Sequence, residues 1–105
     1  MTTYISYKTA KMLKEFLGEG APEPMDDINW WINDEITNIP KYSLHDLLSR
    51  PFCEALARKN KVMVKEWGME TTAKDHVGFS IAESYYNGGF PAVEKELLKI
   101  IGEER

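Results

Sequence analysis

The chain has 105 residues, 43% of them hydrophobic and 29% charged, with a formal net charge of -4. That is room for one domain over residues 1–105, with a core able to fold without staples and no space for an enzyme plus a regulatory module. No apolar run approaches the roughly 20 residues a membrane-crossing helix needs, and the composition is neither that of a disordered chain nor of a disulfide scaffold. The lone Cys53 cannot form an internal bridge, and Met1 to Ser6 lacks the charged start and apolar run of a signal peptide. A reducing cytoplasm is the expected setting.

Charge is distributed in blocks. Residues 1–14 hold three lysines and no acid, whereas residues 15–40 hold seven acids (Glu15, Glu19, Glu23, Asp26, Asp27, Asp34, Glu35) and no Lys or Arg. Residues 41–66 are basic again by three charges, and the remainder is acidic by three. An acidic surface repels phosphates and the basic block is short, so binding to duplex nucleic acid is disfavoured and a partner with a basic surface is expected.

In chain order, Ser6 is placed to cap a helix over 7–17, with Ala10, Leu13 and Leu17 on its apolar stripe and Gly18 as its stop. Two glycines and two prolines make 18–24 a loop. A strand over about 27–33 follows, in which Ile28, Trp30 and Ile32 share one row and Trp31 shares the other with Asn29 and Asn33. Adjacent strand residues point to opposite faces, so one tryptophan is left over, and the alternation selects Trp31. Residues 33–40 read as turn and connector.

Ser43 opens a helical segment over 44–59, with Asp46 at the positive end of its dipole, and the stripe Leu44, Leu47, Leu48, Phe52, Leu56 runs past Pro51. Because Pro51 removes a donor and clashes with the preceding turn, the segment should bend near 50, with Ser49 positioned to cap the second half. Strand composition at 62–67 and alternation at 76–82, with Val77, Phe79 and Ile81 inward, predict a hairpin. Asn87-Gly88-Gly89 reads as a turn, and Pro91 as the start of a last helix over 91–102. The expected fold is α+β, three helices on a small antiparallel sheet of about three strands whose open edges allow a homodimer.

Candidate sites divide by chemistry. Trp31 flanked by Asp26, Asp27, Asp34 and Glu35 has the make-up of a protein-binding face, an aromatic anchor with acids that steer encounter. Tyr85 and Tyr86 beside the diglycine could stack a small ligand such as a nucleotide, although Phe90 and one tyrosine pinning the last helix explains them as well. Cys53 with His76 would be needed for thiol chemistry, since His45 and Cys53 are about 12 Å apart along a straight helix. A small buried thiol is the simpler reading. The carboxylates lack any recognised cation-loop spacing, and one Cys with two His is no zinc set, so neither a metal site nor a cofactor is expected.

The stretch Tyr4-Ile5-Ser6-Tyr7-Lys8-Thr9-Ala10-Lys11-Met12-Leu13-Lys14-Glu15, with a closing helix after an aromatic turn, resembles small accessory proteins of bacteriophages and prophages of gut bacteria. The resemblance is strongest over residues 4–17, a helix start without chemistry, and so transfers no functional residue. It implies a setting in which such proteins bind and block a host or competitor protein, including CRISPR nucleases, or sequester a nucleotide signal. The combined expectation is a non-enzymatic phage accessory protein, an inhibitor of a bacterial defence system, acting through Trp31; the alternatives are a nucleotide sponge and a small metal- or cysteine-dependent enzyme.

Overall fold

In the computed structural model, residues 4–25, 28–60 and 70–102 are described. Helix α1 (Tyr7–Leu17) leads through a 3-10 turn (Gly18–Gly20) and a loop into the antiparallel pair β1 (Asn29–Ile32) and β2 (Glu35–Pro40). Three helices follow: α2 (Leu44–Leu48), α3 (Arg50–Lys59) and α4 (Glu70–Ile101). The class is α+β as expected, but with four helices and a two-stranded sheet among the described residues rather than three of each.

Helix α1 and the bent helical segment follow the sequence closely. Ser6 Oγ accepts from the Thr9 amide, and the Gly18 amide closes the helix on the Lys14 carbonyl. Ser43 and Asp46 form a reciprocal capping box at α2, satisfying donors that the first turn leaves without helical partners. The helix then breaks at Ser49 and restarts with Pro51 in the first turn of α3, where a missing amide costs nothing. Ser49 Oγ does not cap α3; it donates back to the Asp46 carbonyl at 2.7 Å.

Two expectations are overturned. Residues 35–40 form β2, because Asn33 and Asp34 both adopt positive φ (53° and 64°), the two-residue turn geometry that matches strand twist and that Asn and Asp tolerate. Residues 76–82 are helical, not a strand. Val77 and Ile81 are four apart and buried together, while Phe79, two residues on from Val77, is turned out and 68% exposed. The turn expected at Gly88-Gly89 is present as an elbow and the expected last helix is the arm after it, but the arm before it is helix as well, so the elbow lies inside α4. The strand expected at 62–67 lies outside the described residues.

The elbow is set by Gly89, at φ 69° and ψ -159°, backbone that L-residues avoid. Pro91 sits two residues later, where the break spares its ring the clash an unbroken helix would impose. The two arms come back beside each other: Phe79 and Lys99, which a straight helix would hold about 30 Å apart, line one groove. Val77 and Ile81 from the first arm and Phe90, Val93, Leu97 and Ile100 from the second therefore enter one core with Ile5, Leu13, Leu17, Tyr42, Leu47, Phe52 and Leu56. Glu94, on the second arm, accepts from the Ser6 amide (3.2 Å), from Ser6 Oγ and from Thr9 Oγ1 (2.5 Å), fastening the start of α1. Asn60 Nδ2 donates to the Ile100 carbonyl at 2.6 Å and ties the end of α3 to the end of α4.

Gly89→Ala should lower stability by about 1–2 kcal/mol, because the added Cβ disfavours the backbone conformation the elbow requires. Glu94→Ala should cost about 0.5–1.5 kcal/mol by removing the acceptor shared by the exposed Ser6 donors and the part-buried Thr9 hydroxyl. Chemical denaturation measures both, and a Gly89→Ala protein as stable as the wild type would show the elbow to be dispensable.

Candidate protein-binding face of the hairpin

The hairpin register places Ile32 opposite Glu35 and Trp31 opposite Ile36, then shifts so that Asn29 faces Pro40. Thr37 bridges the irregularity, donating from Oγ1 to the Trp30 carbonyl (2.8 Å) and accepting from the Ile39 amide (3.2 Å). Pro40 has no amide to give, and the Lys41 amide resumes the pairing on the Ile28 carbonyl at 2.8 Å. Lys14 Nζ, on α1, donates to the Asn38 carbonyl at 2.5 Å. The hairpin base is thus held to α1 through a charged hydrogen bond.

Alternation then decides which side chains face inward. Trp30 and Ile39 turn toward the body; Ile39 is buried and Trp30 packs partly buried against the core, with Lys41 Nζ 4.7 Å from its ring and 5.6 Å from that of Tyr4. Trp31 and Ile36 turn outward as a cross-strand pair, each 61% exposed. The expected choice between the two tryptophans agrees with this geometry. The expected core row does not hold for Ile28 and Ile32, which are 41% and 37% exposed. Phe79 likewise leaves the core list.

Asp34 lies in the hairpin turn and Glu35 begins β2, both exposed and within two residues of the Trp31–Ile36 pair in sequence. Asp26 and Asp27 are outside the described residues. The residue sequence reasoning missed is Ile36, and part of the signal was present: Asn33-Asp34 directly after the Trp30–Ile32 run has the residue types of a two-residue hairpin turn.

The other candidates separate. Tyr85 packs edge-on against Phe90, ring centroids 5.4 Å apart, pinning the elbow; Tyr86 is 89% exposed on the same arm. Among the described residues no ring contact joins either tyrosine to Trp31. Cys53 is buried, its Sγ donating to the Leu47 carbonyl at 3.4 Å, and burial pushes the thiol up to about 11, the direction opposite to an activated nucleophile. Among the described residues no group of three or more His, Cys, Asp or Glu could hold a metal ion, and no helix is long and apolar enough to cross a membrane. No family model, curated protein or solved structure matches the chain.

Two buried weak acids, Cys53 and Tyr42, couple folding to pH on the alkaline side. Burial raises Cys53 from 9.0 to about 11, and burial followed by the Asp46 charge raises Tyr42 from 10.0 to about 12. Folding thus favours both protonated forms, so the associated stability is intact below the unfolded values and is lost as pH climbs, from 9.0 to about 11 for the thiol and from 10.0 to about 12 for the phenol. Denaturation midpoints should fall across that window, and Cys53→Ala should flatten the earlier part. A midpoint independent of pH there would contradict the assignment.

Proposed function

We propose that the chain is a non-enzymatic binding module whose acidic hairpin, anchored by Trp31 and Ile36, docks on a basic surface of another protein. What carries the reading is the outward cross-strand pair of Trp31 and Ile36, next in sequence to the exposed acids Asp34 and Glu35 of the hairpin turn and β2 start. A large ring held on a strand loses little freedom on binding and buries a large area, so Trp31 supplies affinity. Asp34 and Glu35, with Asp26 and Asp27 in the same acid-only stretch, supply steering and selectivity.

The acids also choose the kind of partner. Two copies meeting face to face through this hairpin would bring like charges together, which costs binding energy, whereas a basic surface gains it. The resemblance of residues 4–17 to phage accessory proteins directs the search to bacterial host proteins of defence and nucleic-acid handling, CRISPR nucleases among them, whose nucleic-acid surfaces are basic. In that setting the protein works in the host cytoplasm as an inhibitor, competing with phosphate-bearing ligands for the same surface.

A partner retained from host lysate, once identified and purified, is titrated against wild type and variants by calorimetry and stopped flow. Trp31→Ala should weaken binding by about 2 kcal/mol or more while leaving the melting temperature nearly unchanged. Reversing Asp34 and Glu35 to Lys should slow association and reduce its salt dependence more than it changes dissociation. Binding that survives Trp31→Ala unchanged, or a Trp31→Ala chain that does not fold, would remove this face from the function.

A further inference from the structure

The hydrogen bonds of the hairpin fix which way each peptide group of β1 points. In a trans peptide unit the C=O and the N–H that follows it point in opposite directions. The Ile28 carbonyl accepts the Lys41 amide and the Trp30 carbonyl accepts Thr37 Oγ1, so both carbonyls face β2. The amides of Asn29 and Trp31 therefore face away from it, and in an extended strand the carbonyl of each residue points to the same side as its amide. Among the described residues β1 pairs with β2 alone, and no hydrogen bond reaches the backbone of Asn29 or Trp31 from the outer side.

The two edges of the hairpin are not alike. β2 packs on α1, Lys14 occupies its Asn38 carbonyl, it carries the extra residues of the irregularity opposite Trp30, and it ends in Pro40, which has no amide. Each of these features blunts an edge against further pairing. β1, Asn29-Trp30-Trp31-Ile32, carries no Lys or Pro and is rich in residues that favour strands. Charge then selects the occupant. Asp34 and Glu35 follow β1 and are exposed, and Asp26 and Asp27 precede Ile28 in the sequence. The nearby cations are engaged, Lys14 on the Asn38 carbonyl and Lys41 over the rings of Trp30 and Tyr4. A second copy pairing edge to edge, parallel or antiparallel, would set one acidic flank against another, whereas a basic strand is attracted by both.

We propose that an extended segment of the basic partner adds to the open edge of β1 as a third strand, bonding to the backbone of Asn29 and Trp31. Its apolar side chains lie in one row beside Trp31 and Ile36, and its Lys or Arg side chains lie in the alternate row, on the face that Ile32 shares with Glu35. The exposed Ile28 and Ile32 on that face suit the methylene stems of such residues. The proposal rests on the reading of the hairpin as a face for a basic partner, and it states how the partner's chain lies on that face. Backbone pairing sets the register, Trp31 supplies buried area, and the acids reject strands of their own sign.

A synthetic strand stands in for the partner. An acetylated, amidated heptapeptide alternating lysine and valine is titrated into the isotope-labelled full chain by NMR, beside a copy N-methylated at its three central residues and a version with glutamate for lysine. The basic peptide should bind saturably with a Kd of about 1 mM and, at saturation, slow solvent exchange of the Asn29 and Trp31 backbone amides about tenfold or more. The N-methylated copy keeps every side chain and charge but lacks the donors, and should bind about tenfold more weakly. The glutamate version should show no binding in the same range. Asn29→Pro removes one outward donor where an edge strand admits proline, and should weaken the basic peptide about threefold or more; the N-methylated copy tests the same bonds on the unaltered chain. Absence of binding up to about 20 mM, equal binding of the parent and N-methylated peptides, or binding that leaves both amides unprotected would overturn the proposal. If Trp31→Ala then still loses the partner, the hairpin face stands and only the added strand is refuted. Shifts at these amides that grow with the concentration of the chain alone would assign the edge to a second copy and overturn the proposal as well.

Discussion

The reversal of α4 at Gly89 is the constraint on which the remaining packing depends. A straight helix of 32 residues would be about 48 Å long and could present only one stripe to a body whose longest extent is 45 Å. Broken at a glycine with φ 69°, it delivers two stripes to one core, with Phe90 buried at the bend. Gly88 lets the arms close, since a Cβ there would lie 2.8 Å from that of Ala92. Consequences propagate along named bonds: the second arm carries Glu94, Glu94 holds the first turn of α1, and Lys14 on α1 holds the Asn38 carbonyl on β2. The hairpin, distant in sequence from the elbow, takes its position through this chain of contacts.

What could be read in advance follows from how local each determinant is. α1, and the break between α2 and α3, rest on caps, a glycine stop and a proline, all of which act within one turn, and both appear where the residues place them. The misreading of 76–82 has a different origin. Val77, Phe79 and Ile81 satisfy a period of two, but Val77 and Ile81 alone satisfy a helix, and seven residues are too few to separate the periods. Only the rest of the arm, packed against α3, decides. β2 was hidden because Glu35 to Pro40 has few apolar residues and ends in proline, whereas its turn was visible at Asn33-Asp34. Parity alone separated Trp30 from Trp31, yet whether the body covers Ile28 and Ile32 is a tertiary property that no alternation encodes.

The acids divide into two sets by what they do. Asp46 accepts from the Met25 and Ser43 amides and from Ser43 Oγ, Glu94 caps α1, and Glu54 pairs with Arg50 at 2.9 Å; all three lie outside the acid-only stretch. Within that stretch, Glu19, Glu23, Asp34 and Glu35 make no hydrogen bond or ion pair among the described residues. Like charges crowded in one segment without counter-ions work against the compact state. The fold therefore carries these carboxylates at a cost and draws no bond from them.

That cost is recovered if a cationic surface neutralises the segment. Asp46 is the joint between the two sets: its Oδ1 accepts the Met25 amide at 2.9 Å while its Oδ2 accepts the Ser43 amide at the start of α2, so the loop before the hairpin is tied to the helical body by a residue already committed to folding. Among the described residues, Glu19, Glu23, Asp34 and Glu35 are free in their side chains while the loop at Met25 and the hairpin strands are held through their backbone. A segment of that kind can present charge and an exposed tryptophan in a set geometry, with little ordering left to do when a partner arrives.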